Sequence, residues 1–98
     1  MNYNFQSINF NPKNKLLLNI KNRTKKLSLF YDKIISVNIY AKLINSNRKN
    51  KEVEFILRIP GEEFVVKKTS DSFERSVKRV ANSIERLLIK HKKKLSKI

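Results

Sequence analysis

The last third of the chain constrains the fold most, because one predicted helix from about Phe73 to Lys97 sorts its residues onto two opposite faces. At ~100° per residue, apolar side chains repeat along one stripe and basic side chains along the other. The apolar stripe contains Phe73, Val77, Val80, Ile84, Leu88, His91 and Leu95, and the basic stripe contains Arg75, Arg79, Arg86, Lys90, Lys93 and Lys97. The apolar stripe requires a protein core, whereas the basic stripe requires water or a polyanion.

The length and the net charge of the chain limit the classes of protein to which it could belong. The 98 residues suffice for one stable core but not for a second lobe or a deep catalytic cleft, so we assign residues 1–98 to a single domain with a surface function. Lysine and arginine outnumber the acids 23 to 8, and the net charge of +15 favours nucleic acid first and an anionic membrane second. The basic C-terminal end, residues 90–98, is expected to fray.

Several classes of protein are disfavoured by what the sequence lacks. Without cysteine there is no disulfide framework and no thiolate metal site. The N-terminus shows no secretion signal, and no stretch approaches the roughly 18 apolar residues of a membrane span. We therefore predict a cytoplasmic protein, monomeric when free, with no cofactor.

The first part of the chain predicts a strand followed by a helix. Tyr3 to Asn9 alternates apolar and polar residues, with a change of parity that indicates a bulge or strand end near Ser7. Asn11 and Pro12 suit an N-cap and a first helical position, and the helix is expected to end near Phe30. Its predicted apolar stripe is Leu16, Ile20, Leu27, Phe30 and Tyr31, with Leu18 and Leu29 exposed.

Three further strands and the final helix follow. The predicted strands are Asp32 to Ile44, Glu52 to Ile59 and a return strand after a tight Pro60-Gly61 turn. Inward positions are Ile35, Val37, Ile39, Ala41 and Leu43 on the first, Val53, Phe55, Leu57 and Ile59 on the second, and Phe64 and Val66 on the third. Asp71 and Glu74 fit a capping box that opens the final helix.

These elements predict an α+β fold of order β-α-β-β-β-α. A strand-helix-strand start implies a right-handed crossover, so the first two strands are expected to be parallel neighbours in a four-stranded mixed sheet. Both amphipathic helices must cover the one apolar face of that sheet, where they lie side by side. Their basic stripes would then merge into one patch.

Catalytic chemistry finds little support. His91 is the only histidine and lies on or beside the apolar stripe, where a packed structural role is expected. Glu62 and Glu63 stand beside a turn as a solvated pair, with no third group to tune them as an acid and base. One glycine cannot build a phosphate-binding loop. We predict that the protein is not an enzyme.

Binding to nucleic acid is the positive interpretation. The residues expected to contact phosphate are Arg23 and Lys26 on the first helix and Arg79, Arg86, Lys90 and Lys93 on the last. Few aromatic residues lie on these faces, which favours recognition of backbone and shape over capture of single bases. The alternatives are a solvated basic face without a partner and a membrane-surface helix, which the need to cover the sheet and the lack of tryptophan disfavour.

Several segments, taken in order, resemble the ribosome hibernation promoting factor and ribosome-associated inhibitor family. They are Lys26-Leu27, FYDKIISVNIYAKL from Phe30, ILRIPGEEF from Ile56, and DSFERSV with IERLLIKHKKKL. The resemblance implies the same β-α-β-β-β-α fold. It also implies binding to the small ribosomal subunit in the channel for mRNA and tRNA, and inhibition of translation in starved or stationary cells.

The resemblance also assigns residues and leaves questions open. The positions that match rRNA contacts of the family are Arg23, Lys26, Arg86, Lys90 and Lys93. Ser83 replaces a usual lysine, for which Lys78 or Arg79 would substitute, and Ser28 replaces a common glutamate. The sequence resembles the short form of the factor. Whether a helper protein assists it in pairing ribosomes stays open. The main alternative is a general double-stranded RNA-binding module that also uses Arg48, Lys49 and Lys51 after the second strand.

Overall fold

The computed structural model describes residues 1–44 and 49–95 and confirms the predicted order of elements. The strands are β1 (Asn2–Ile8), β2 (Ser36–Leu43), β3 (Lys51–Ile59) and β4 (Glu62–Ser70), and the helices are α1 (Asn14–Phe30) and α2 (Phe73–Leu95). The predictions for Arg48, Lys97 and most of the loop after β2 fall outside the described residues. Within those residues, neither helix is apolar enough over its length to cross a membrane.

The four strands form one mixed sheet in the order β1-β2-β3-β4. β1 and β2 are parallel, as the crossover rule predicts, and the other two pairs are antiparallel. One register row runs across the whole sheet through Phe5, Ile39, Phe55 and Val66. Gly61 has a φ of +80° in the turn from β3 to β4, the left-handed conformation that glycine adopts without strain.

The core lies between one face of the sheet and both helices. Alternate residues of β2 and β3 are buried together with the apolar stripes of α1 and α2 in a single cluster. Its members include Val37, Ile39, Ala41, Val53, Phe55, Leu57 and Ile59 from the sheet, and Leu16, Ile20, Leu27, Val77, Val80, Ile84 and Leu88 from the helices. Leu18 and Leu29 are exposed, as predicted. Both helices therefore cover the same face, which leaves the opposite face of the sheet open.

A small buried hydroxyl network fixes the start of α2 on the sheet. The Ser76 hydroxyl donates to the Lys51 carbonyl at 2.7 Å, and its oxygen lies 2.7 Å from the Ser70 hydroxyl oxygen. Ser70 and Ser76 are both buried, so these bonds form away from competing water. These hydrogen bonds fix the orientation of α2 on the sheet, and with it the direction in which its basic side faces.

The N-terminus of α1 is two residues later than predicted. Lys13, with φ −80° and ψ 155°, is the N-cap, and its carbonyl accepts from the amides of Leu16 and Leu17. Pro12 therefore precedes the helix. Phe10 stacks on Phe73 with ring centroids 4.2 Å apart, which holds this connection against α2.

The predicted capping box at Asp71 is also wrong. The Ser72 hydroxyl accepts from the Arg75 amide at 3.1 Å, so Ser72 is the N-cap of α2. Asp71 instead pairs with the Arg75 guanidinium at 3.1 Å. A start at Phe73 places Phe73 against Phe10 and Ser76 against the sheet, and these tertiary contacts decide between two adjacent residues that are both good caps.

Four predicted core positions, at the ends of elements or on the edge strand, are less buried than expected. Ile35 is 50% exposed because β2 begins only at Ser36, and Leu95 is 48% exposed at the far end of α2. Phe64, on the edge strand β4, is only partly buried against the core, as is Val66. β1 pairs without interruption to Ile8, so the parity change near Ser7 marks a strand end and not a bulge.

Candidate nucleic-acid interface

Basic side chains concentrate on the two helices. α1 carries five basic residues and no acid, and α2 carries eight basic residues and two acids. The strands carry nearly equal numbers of each sign. Most of the net charge of the protein therefore lies on the helix side, where a polyanion meets a favourable potential.

A furrow between the helices, called here the α1–α2 furrow, is the first part of the candidate site. It encloses about 520 Å³ and brings together the predicted residues Arg23 and Arg79. Lys78 and the amide side chains of Asn19 and Asn82 also line it. Basic residues of both helices thus meet in one concave surface.

Three of the four cations that line the α1–α2 furrow have no ionic partner among the described residues, and the fourth, Arg75, pairs with Asp71. Among the described residues, Arg23, Lys78 and Arg79 form no ion pair, although Glu74 lines the same furrow. The Oδ1 atom of Asn19 is buried without a hydrogen-bond partner among those residues. Unpaired like charges repel one another, so an anionic ligand would relieve the repulsion between these cations. The buried Asn19 oxygen is an acceptor and requires a donor, such as a hydroxyl group, which a phosphate oxygen does not supply.

A second furrow, called here the α2–β4 furrow, lies on the other side of α2. It encloses about 450 Å³ and contains the predicted residues Arg86 and Lys90. Ser83 of α2 and Lys68 of β4 also line it. Four of the six predicted site residues are therefore divided between two furrows, Arg23 and Arg79 in the first and Arg86 and Lys90 in the second. Arg79, Arg86 and Lys90 nevertheless lie on one stripe of α2, because seven and eleven residues are close to two and three full helical turns.

The remaining two predicted site residues lie outside both furrows. The ammonium of Lys26 is 4.0 Å from a carboxylate oxygen of Glu85, which compensates part of its charge from across the helix pair. Lys93 lies in the last turn of α2 beside Lys92 and Lys94. Cations in that turn interact favourably with the C-terminal end of the helix dipole.

Four basic residues that line the furrows, Lys67, Lys68, Arg75 and Lys78, were not among the predicted site residues. Of these, Lys68 and Lys78 have no ionic partner among the described residues. Lys78 lies at the edge of the basic stripe of α2, toward α1, and only the position of the neighbouring helix shows that it faces a furrow. Lys68 has the same strand parity as Phe64 and Val66, which pack against the core, so β4 directs it to the helix side. Strand parity alone was sufficient to find Lys68.

The titratable residues considered for catalysis, His91 and Glu62, make contacts that hold α2 against the sheet. His91 Nδ1 lies 3.0 Å from Glu62 Oε2, and the imidazole meets Tyr31 and Phe64 edge-on. Glu62 is thus paired, and not simply solvated as predicted. Burial raises the pKa of the Tyr3 phenol above its usual 10.0. Residues 1–44 and 49–95 contain no group of three or more His, Asp or Glu side chains placed to hold a metal ion.

Comparison with known proteins identifies the family. The sequence profile of the sigma 54 modulation protein / S30EA ribosomal protein family matches residues 3–96. The chain belongs to this family. The match covers both helices and all four strands, and all six predicted site residues fall inside it. The resemblance inferred from the sequence segments is confirmed at the level of the family. A comparison with curated proteins found no match.

Solved structures share the fold of this S30EA family member. A ribosomal subunit interface protein from Coxiella burnetii superposes with a TM-score of 0.77 at 20% identity, over 91% of this chain and 97% of that one. The Protein Y N-terminal domain from Thermus thermophilus superposes with a TM-score of 0.78 at 14% identity, over 93% of this chain and 99% of that domain. At such identities the comparison supports the β-α-β-β-β-α fold and not a particular set of binding residues.

Proposed function

We propose that this protein binds the small ribosomal subunit through its two-helix face and silences translation in starved or stationary cells. The observation that carries the proposal is the pair of furrows beside α2, in a chain of the S30EA family. Most of the cations that line them form no ion pair with a described residue: Arg23, Lys78 and Arg79 in the first furrow, and Lys68, Arg86 and Lys90 in the second. The bound surface would be rRNA in the channel used by mRNA and tRNA. The Coxiella burnetii protein with the same fold is a ribosomal subunit interface protein, which supports association with the ribosome.

The charge pattern favours RNA over an acidic protein. Arginine forms planar two-point hydrogen bonds with phosphate, and lysine supplies a mobile point charge. Arg23, Arg79 and Arg86 are spread along the helices with lysines between them, as a repeating phosphodiester requires. On the open face of the sheet, by contrast, two of the cations pair with neighbouring acids, Arg58 with Glu63 at 3.5 Å and Lys67 with Glu52 and Glu54. The helix face is therefore the side available to a polyanion.

Inhibition would follow from occupancy alone. A folded domain of 47 × 22 × 18 Å held in the decoding channel excludes mRNA and tRNA from the same space. No bond is made or broken in this mechanism, which agrees with the structural contacts of His91 and Glu62. The protein would act in the cytoplasm, as a monomer until it meets the subunit.

Sedimentation of lysates from growing and stationary cells tests the proposal. We expect the protein to co-sediment with small subunits or whole ribosomes in stationary phase and to be released by high salt. Its presence only in the soluble fraction at every growth stage would reject the proposal. An electron-microscopy map of the same ribosomes would then locate the domain in or outside the channel.

A general double-stranded RNA-binding module is the second candidate, and one observation favours it. Lys49, in the connection between β2 and β3, lines a recess together with Arg75 and Arg79 of α2. A basic strand connection beside a basic helix is the arrangement with which such modules contact successive grooves. Equal affinity for a plain RNA duplex and for intact small subunits would favour this function. Flotation with anionic vesicles separates both candidates from a membrane-surface protein.

A further inference from the structure

The α2–β4 furrow contains a basic residue that lies outside the two helices. Lys68 of β4 faces the helix side of the sheet, and Arg86 and Lys90 line the opposite wall. β4 has β3 on one side and no strand on the other among the described residues, so the outer side of its backbone keeps amide groups free of the sheet. The furrow therefore has cations on both walls and hydrogen-bond donors along one.

We propose that Lys68 binds a backbone phosphate of the same RNA that Arg86 and Lys90 contact, so that the interface extends from the helices onto the edge strand. This inference rests on the proposed function. The ligand class is a phosphodiester strand that lies in the furrow, held by a lysine on the sheet and by an arginine and a lysine on the helix.

The contrast between two adjacent lysines supports the assignment. Lys67 also borders the furrow, but its charge is directed to the open face of the sheet, where its ammonium lies 3.8 Å from Glu52 and 3.9 Å from Glu54. Lys68 forms no ion pair with any described residue, and neither does Arg86 or Lys90. Three unpaired cations around one furrow favour a ligand with a repeating negative charge. An acidic peptide would be the competing ligand, but the furrow continues into the basic stripe of α2, which a long polyanion can follow.

Ser83 provides a way to test the position of the charge. It lines the same furrow from the helix wall, one turn before Arg86 and Leu87. A lysine at this position would direct its ammonium into the space that Lys68 serves. Its cost to the helix is small, because lysine is at least as good a helix former as serine. The furrow requires charge and not a particular backbone position, so Ser83→Lys is expected to compensate for loss of Lys68.

The experiment compares Lys68→Ala, Lys67→Ala and Lys68→Ala with Ser83→Lys in the full chain, using purified small ribosomal subunits as the probe. For Lys68→Ala we expect an affinity loss of about three- to tenfold near 0.1 M salt, and a salt slope of log K smaller by about one, as for one lost phosphate contact. Lys67→Ala removes the same charge from the open face and should change affinity less than about twofold. The added Ser83→Lys should restore both affinity and slope.

The outcomes separate this inference from the proposed function. If the parent protein does not bind small subunits, the proposed function fails. If the parent binds but Lys68→Ala matches it, or loses no more than Lys67→Ala, the inference fails while the proposed function stands. Failure of Ser83→Lys to rescue a deficient Lys68→Ala, or capture of an oligoglutamate peptide as tightly as RNA, would also overturn it. Circular dichroism of each variant confirms that only folded proteins are compared.

Discussion

The imidazole Nδ1 of His91 lies 3.0 Å from Oε2 of Glu62 and so joins the last turns of α2 to the start of β4. The ring centroid is 5.5 Å from that of Tyr31 and 6.3 Å from that of Phe64, both in edge-on geometry. The His91 side chain is only 12% exposed and packs between the helix and the sheet. The wall of the α2–β4 furrow that carries Lys90 depends on this contact.

The packing of His91 should therefore be measurable as stability. His91→Ala removes a mostly buried ring and its two aromatic contacts, and we expect a loss of about 1–3 kcal/mol in the free energy of unfolding. Glu62→Gln should cost less than about 1 kcal/mol, because the Glu62 side chain is 46% exposed and exposed ion pairs contribute little. Urea unfolding measures both. Equal losses would show that the contact with Glu62, and not the packing, holds the ring.

The start of α2 provides a second stability test. Ser72→Ala removes the hydroxyl that accepts from the Arg75 amide, and should destabilise the protein by about 0.5–2 kcal/mol. Asp71→Ala should cost less than about 0.5 kcal/mol, because its pair with Arg75 is an exposed contact one turn apart on the surface. Thermal unfolding of the two variants decides which residue caps the helix. A larger loss for Asp71→Ala would favour the predicted capping box instead.

The sequence predicts the centre of each element better than its ends, for physical reasons. Alternation places Val53, Phe55 and Leu57 in the core because a strand has a strict period of two, which local sequence displays directly. The helix starts were misplaced because Ser72 and Asp71 are both competent caps, and only the contacts of Phe73 and Ser76 choose between them. The local preferences of the sequence contain no information about such tertiary contacts.

The same holds for the candidate site, of which some features could be predicted from the sequence and others could not. Which cations lie on the outer side of α2 follows from the helical period, so Arg79, Arg86 and Lys90 could be predicted. The pairing of Lys26 with Glu85 could not, because it depends on the distance between two helices. The division into two furrows likewise depends on where α2 crosses the sheet.

Phe55 tests the central strand. It is fully buried on β3 opposite Ile39 of β2 and Val66 of β4. Phe55→Ala should cost about 3–5 kcal/mol, because it removes a large ring from the middle of the core. Ile56→Ala, on the open face, should cost clearly less. A loss below about 1 kcal/mol for Phe55→Ala in denaturant unfolding would contradict the orientation of this strand.

Binding led by phosphate should depend steeply on salt. If the two furrows together neutralise about six to ten phosphates, affinity for small subunits should fall roughly 10³- to 10⁵-fold between about 50 and about 200 mM salt, with duplex DNA as the guide. Filter binding or fluorescence anisotropy across that range measures the slope. An affinity that stays constant over the same range would mean that apolar contacts or a protein partner dominate binding.

Charge reversal on α2 separates the binding surface from the core on one helix. Arg86 and Lys90 are both exposed and lie opposite the buried Ile84 and Leu88, so Arg86→Glu with Lys90→Glu should change thermal stability little. It should abolish association with small subunits, because each substitution replaces attraction to phosphate with repulsion.

The matched control for this variant must reverse two charges elsewhere. Glu85 is unsuitable, because its side chain is only 18% exposed and faces Lys26, so that a lysine there would set two cations against each other between the helices. Lys42→Glu with Arg58→Glu makes the same change in net charge on the open face of the sheet. It sets an acid beside Glu63, but both side chains there are at least half exposed, so the cost to stability should be small. This variant should keep most of the binding at about 0.1–0.2 M salt, where the Debye length of about 10 Å screens distant charges. If both double variants lose association equally, net charge governs binding. If the Arg86 and Lys90 variant still inhibits translation at the dose of the parent, α2 is not the surface that contacts rRNA.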